Sequence, residues 1–196
     1  MEKLDLIYST KTGGTALSRY LTKHYSEYIT SEYHNRRCGD VANPVVVFRC
    51  PYERFLSTYN YWCNGSADIS QHFRKNKQTT DITDFIKILS TSPHKLYNIR
   101  WFREVHTRTQ SWYYTGDYKK ITVIKYKKDL SESINNLLNI HRLPGERPLL
   151  EHQNLTKNKQ KYANQLYYNF VEEHYKCDFI LSNKIKSNPE LFKVVI

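Results

Sequence analysis

The sequence predicts an α/β fold, a central and mainly parallel sheet flanked by helices, and three observations carry the prediction. The apolar run Leu4 to Tyr8 breaks at Ser9-Thr-Lys-Thr-Gly-Gly-Thr15, and a helical pattern follows, with Leu17, Tyr20, Leu21 and His24 spaced for one face. That order is strand, glycine loop, helix. Pro44-Val-Val-Val-Phe48 is continuous and β-branched, as in a parallel strand covered on both faces. Strand patterns then keep alternating with helical ones along the chain, the signature of a parallel sheet with crossover helices.

Taken in order, the elements read as follows. Tyr28 to Tyr33 is a second short strand. Arg49-Cys-Pro51 closes the third, and Glu53 to Trp62 is a helix with Pro51 near its first turn. Residues 64–80 are polar and read as a loop. Asp81 to Leu89 is a short helix capped by Thr80 or Asp81. Residues 93–118, rich in Trp, Tyr, His and Arg, fit no single pattern. Ile121 to Tyr126 is a strand, Leu130 to Ile140 an amphipathic helix, and Pro144 to Pro148 a loop. Lys157 to Lys176 reads as the last long helix. There is no internal repeat or domain boundary, so residues 1–196 are expected to form one domain.

Composition limits the function classes. With 30 Lys+Arg against 19 Asp+Glu, the net charge is +11, which attracts polyanions such as nucleic acid, anionic polysaccharide or a phosphate-rich ligand. The 17 Tyr, 8 Phe and 3 Trp give enough apolar surface to exclude disorder. No apolar run approaches the roughly 20 residues of a membrane span, and Met1-Glu-Lys-Leu-Asp5 does not resemble a signal peptide. The expected compartment is the cytoplasm, or the Golgi lumen if the chain is a trimmed domain. The four cysteines form no CxxC pair and no zinc spacing, and no Asp/Glu/His cluster suggests a metal.

Two segments carry chemistry. Gly13-Gly14, between a strand and a helix, lets backbone N–H groups face an anion at the helix N-terminus. Thr12 and Thr15 add hydroxyls and Lys11 a positive charge. The Lys precedes the glycines, so this is neither Gly-x-x-x-x-Gly-Lys-Ser/Thr nor Gly-x-Gly-x-x-Gly. The plain alternative is a βα turn with a solvated Lys. In the second segment, Arg49 sits at the carboxyl end of a central strand, where ligands gather in open α/β sheets. Arg49 and Ser57 are placed to grip a second phosphate, the guanidinium offering a bidentate fork. Glu53 reads as a helix-surface charge, and Arg54 as either a surface charge or a buried ion pair.

Ser9-Thr-Lys-Thr-Gly-Gly-Thr15 resembles the 5′-phosphosulfate loop of sulfotransferases. Arg49-x-Pro-x-x-Arg-x-x-Ser57-x-Tyr59 resembles their 3′-phosphate motif, with Cys50 where an acid usually stands. Both motifs occur in the expected order, each at a strand-to-helix junction. Ile121-Thr-Val-Ile-Lys-Tyr126-Lys-Lys-Asp-Leu130 and the tail Tyr-Lys-Cys-Asp-Phe179 are similar to further family segments, while residues 64–118 align poorly. The nearest group is the carbohydrate one, of heparan and chondroitin sulfate type.

This resemblance implies a P-loop-NTPase-like sulfotransferase fold. It also implies transfer of a sulfuryl group from 3′-phosphoadenosine 5′-phosphosulfate (PAPS) to an acceptor hydroxyl, without a metal. The acceptor would be a glycan or another hydroxyl compound, and an anionic one suits the basic charge. Lys11 would act on the leaving phosphate oxygen. Thr12, Gly13, Gly14 and Thr15 would hold the 5′-phosphate, and Arg49 and Ser57 the 3′-phosphate. The implied base is His34, with Glu32 and His106 as alternatives. Arg36, Arg37, Arg103 and Arg108 either line an acceptor groove or serve solubility. Thr156, Lys159 and Lys161 fall where such enzymes close a loop over the donor, or else begin a basic helix. Two other classes compete: a nucleotide-kinase-like P-loop protein, which would need a Walker Lys-Ser/Thr, and a basic nucleic-acid binder. Nucleic-acid binding leaves the glycine loop and the Arg49/Ser57 spacing without a purpose.

Overall fold

The computed structural model describes residues 2–33, 36–64, 81–91, 107–127, 130–145 and 164–195. Five parallel strands, β1 (Leu4–Ile7), β2 (Ile29–Tyr33), β3 (Pro44–Phe48), β4 (Thr122–Lys125) and β5 (Lys193–Val195), form one sheet in the order β2-β1-β3-β4-β5. Helices α1 (Gly14–Tyr25), α2 (Pro51–Asn64), α3 (Ile82–Thr91), α4 (Ser131–Ile140), α5 (Gln165–His174) and α6 (Lys176–Ser187) connect and flank it.

Period-two alternation divides the strands between two cores. Leu4, Leu6, Val45, Val47 and Ile124 pack with Leu17, Leu21 and Tyr25 of α1 and Ile134, Leu137 and Leu138 of α4. Ile7, Val46, Phe48 and Val123 face the other way, onto Tyr113, Tyr114 and Leu181 and Ile185 of α6. A third, aromatic cluster joins α2, α3 and α5 through Phe55, Tyr59, Phe85, Tyr167 and Tyr175. Burial on both faces is why β3 reads as an unbroken apolar run, while β1 carries one polar residue, Asp5, whose Oδ2 accepts from the Asn43 N–H at 3.0 Å.

Most expected elements stand within a few residues of their positions. Asp81 caps α3, its Oδ1 accepting from the Thr83 N–H at 2.6 Å. The helix expected over 157–176 is corrected: α5 ends at His174, Tyr175 breaks the direction, and α6 begins at Lys176. Residues 157–163 lie outside the described residues, as do 65–80 and 92–106. No Pro or Gly marks the break. Tyr175 is buried there, and the turn delivers Asp178 to a fully buried position, so tertiary demand overrides local helix propensity. The closing strand β5 was not expected. It is three residues long, and Lys193-Val-Val195 carries too little pattern to declare itself. Among the described residues no helix is long and apolar enough to cross a membrane.

Candidate functional site

The chain leaves β1 to place β2 on one side, then returns to place β3 on the other, so the strand order reverses between β1 and β3. In open α/β sheets the crevice at the carboxyl ends of such a strand pair is the ligand site. Here it receives the Ser9–Gly13 loop from β1 and Arg49 from β3.

The loop is held in a shape that few sequences tolerate. Lys11 has φ 63° and Gly13 φ 88°, both in the left-handed region. A Cβ at Gly13 would lie 2.7 Å from Tyr126 Cε2, and one at Gly14 would lie 2.2 Å from Tyr8 Cβ. Neither position admits a side chain without displacing its neighbours. Left-handed residues of this kind let successive N–H groups converge into an anion-binding concavity. The first turn of α1 adds its free donors and holds no acidic residue to fill them. Thr12 is fully buried, and its hydroxyl donates to the Ser9 carbonyl at 2.7 Å, closing the turn from inside. Thr15 is exposed at the helix start.

The second motif holds the first from behind. Arg49 Nη1 donates to the Lys11 carbonyl at 3.1 Å, and Arg54 Nε donates to the Thr10 carbonyl at 3.1 Å. Two consecutive carbonyls of the strained loop are thus turned toward guanidinium groups. Arg49 also lies 4.2 Å above the Tyr126 ring, so Tyr126 floors the crevice between Gly13 and Arg49. Arg49 Nε reaches Glu53 at 3.4 Å, an exposed pair of little energetic weight.

On α2, Glu53, Ser57 and Tyr61 follow one another at intervals of four and share a face. Glu53 meets Arg49 at one end of this stripe. At the other end the Tyr61 ring lies 4.2 Å from Lys11 Nζ. Ser57, half-buried, therefore sits on the face that runs between the two cations. Burial and the Arg49 charge together lower the Lys11 pKa to about 8. Two like charges gathered over an aromatic floor repel one another, and an anion between them would relieve that repulsion.

Several residues here were invisible as site residues in the sequence. Gln110 clamps the Arg49 peptide, and Asp178 is fully buried beside Arg54, with 4.0 Å between its Oδ2 and Arg54 Nη1. That settles the open question about Arg54: it is a buried structural ion pair. Only the Tyr-Lys-Cys-Asp-Phe179 match gave a hint of Asp178. His34 and His106 lie outside the described residues, as does the Glu32 side chain. Arg36 and Arg37 lie on the segment after β2. The guanidiniums of Arg37 and Arg108 stand over the Trp112 ring, 4.6 and 3.9 Å from its centroid. Arg103, Thr156, Lys159 and Lys161 fall outside the described residues. Among the described residues no group of His, Cys, Asp and Glu is gathered as a metal site.

Fold and site together define an α/β protein with two cationic side chains, Lys11 and Arg49, at the switch point of a parallel sheet. Residues 10–183 match the model of the sulfotransferase family, and the chain belongs to that family. No curated protein matches it. The family's enzymes transfer sulfuryl groups, generally from PAPS.

Proposed function

We propose that this chain transfers a sulfuryl group from PAPS to the hydroxyl of a carbohydrate, the donor lying in the β1–β3 crevice. The observation that carries the reading is the convergence of Lys11 and Arg49 there, with Lys11 poised near pKa 8. The crevice fits the donor because a nucleotide with phosphates at both ends needs two cationic subsites, which the Ser9–Thr15 loop and the Arg49/Ser57 pair supply.

In this reading the N–H groups of Gly13, Gly14 and Thr15 hold the 5′-phosphate. Thr12 contributes its backbone rather than its hydroxyl, which is engaged with Ser9. Arg49 and Ser57 hold the 3′-phosphate. Transfer is an in-line displacement in which negative charge grows on the leaving phosphate oxygen, so the protein contributes mainly position and countercharge. Lys11 is protonated at neutral pH and can neutralise that oxygen or give it a proton. His34 takes the acceptor proton, with Glu32 and His106 as the alternatives. The basic character of the chain suits an anionic glycan.

Calorimetric titration with adenosine 3′,5′-bisphosphate, against AMP and ATP, tests the donor site. The expected result is micromolar binding of the bisphosphate, weaker by at least tenfold for AMP and lost in Arg49→Ala. Equal binding of all three nucleotides would refute the donor site.

A further inference from the structure

The Arg49 guanidinium is only as well placed as its own backbone, and that backbone is held by one side chain. Gln110 Oε1 accepts from the Arg49 N–H at 2.9 Å, and Gln110 Nε2 donates to the Arg49 carbonyl at 2.7 Å. A primary amide lying against a peptide in this two-bond manner fixes both its position and its plane. Arg49 sits just beyond the end of β3, where ladder bonds no longer hold the chain. The amide thus replaces the missing strand partner.

Gln110 is itself anchored. Its N–H donates to Asp178 Oδ2 at 2.9 Å, and the next N–H, of Ser111, donates to Asp178 Oδ1 at 2.8 Å. Asp178 is fully buried and faces Arg54, whose Nε holds the Thr10 carbonyl. Arg49 in turn holds the Lys11 carbonyl. The contacts close a ring, from Thr10 through Arg54, Asp178, Gln110 and Arg49 to Lys11, which encircles the roots of both phosphate segments. Gln110 and Asp178 are 1% and 0% exposed, so water does not compete for these bonds.

We infer that Gln110 is a positioning residue for the 3′-phosphate subsite: it sets Arg49, and through Asp178 ties that subsite to the 5′-phosphate loop. The inference rests on the reading of Arg49 as the 3′-phosphate ligand. Gln110 touches no part of the donor and acts only through Arg49. It therefore governs discrimination between nucleotides with and without a 3′-phosphate. The 5′ loop, although it loses part of its Arg49 support, keeps its shape through the Arg54 bond to the Thr10 carbonyl and the Thr12 bond to the Ser9 carbonyl.

The test is the ratio of two affinities, adenosine 3′,5′-bisphosphate over AMP, measured calorimetrically in one preparation of each protein. A loss of folded fraction weakens both ligands alike and cancels in the ratio. Gln110→Met keeps the side-chain length and removes both amide bonds. It is expected to lower the ratio about tenfold while leaving AMP affinity within about twofold of wild type. An unchanged ratio, or equal losses for both nucleotides, would overturn the positioning role and leave Gln110 a packing residue. Should Gln110→Met fail to fold, Gln110→Asn keeps the amide but sets it back by one methylene. That variant breaks at least one of the two bonds and is expected to lower the ratio about threefold. A wild-type protein that does not distinguish the two nucleotides would refute the donor-site reading itself, a different outcome from a wild-type preference that survives in the variants.

Discussion

At the scale of single residues, Lys11 links conformation to charge. Its backbone is left-handed, its ammonium lies over the Tyr61 ring, and burial beside Arg49 lowers its pKa from 10.5 to about 8. A bound polyanion favours the protonated form, so binding and protonation are linked. Below pH 8 the charge is already present and bisphosphate affinity is flat. Above pH 8 a proton must be taken up on binding, and affinity falls by up to about tenfold per pH unit. Both phosphates, with a second pKa of about 6, are almost fully ionised over this range and add little slope of their own. Lys11→Arg keeps the charge at every pH and is expected to flatten the profile. Titrations from pH 7 to 9.5 check this, and a wild-type profile without slope would rule out Lys11 as the titrating group. Lys11, Gly13, Gly14 and Arg49 were legible in the sequence because their meaning lies in local spacing. Gln110 and Asp178 were not. Their partners stand 61 and 68 residues away, and although both lie in segments that resemble family ones, no local spacing announces such a contact.

At the scale of elements, β1, α1 and β3 were readable because each couples a clear period to a chemical stop: the glycine pair in one case, Arg-Cys-Pro in the other. The α5–α6 break was hidden because its cause is tertiary. The helix expected to run to Lys176 meets no stop signal at Tyr175, yet the chain breaks there, and α6 continues to Ser187 with Asp178 accepting from two amides and facing Arg54. Asp178→Ala removes the acceptor for both N–H groups and leaves a guanidinium without its counterion in the core. Loss of one partner of a buried pair costs about 3–5 kcal/mol. Chemical denaturation is expected to show a loss of that size. A loss under about 1 kcal/mol would mean that α6 packing alone, through Leu181 and Ile185, fixes the bend.

At the scale of the whole molecule, the sequence implied a parallel α/β sheet but not its strand order. Order depends on which side of β1 each later strand joins, and no local pattern encodes that choice. The order matters because it puts the crevice between β1 and β3, with the cations of both motifs inside it. The net charge of +11 gives the chain a long-range attraction for polyanions and bears on the acceptor. An anionic polysaccharide would be drawn in by the field, and its capture would weaken as salt shortens the screening length from about 10 Å at 0.1 M to about 3 Å at 1 M. An uncharged hydroxyl acceptor would not respond. At saturating donor, kcat/KM for an anionic glycan is therefore expected to fall at least about tenfold between 0.05 and 0.5 M salt, with an uncharged sugar changing less than about twofold. Donor saturation matters, since the donor is itself an anion and would otherwise contribute a salt dependence of its own. A flat profile for the anionic glycan would show that the basic surface takes no part in acceptor capture, and would redirect the search toward small neutral alcohols.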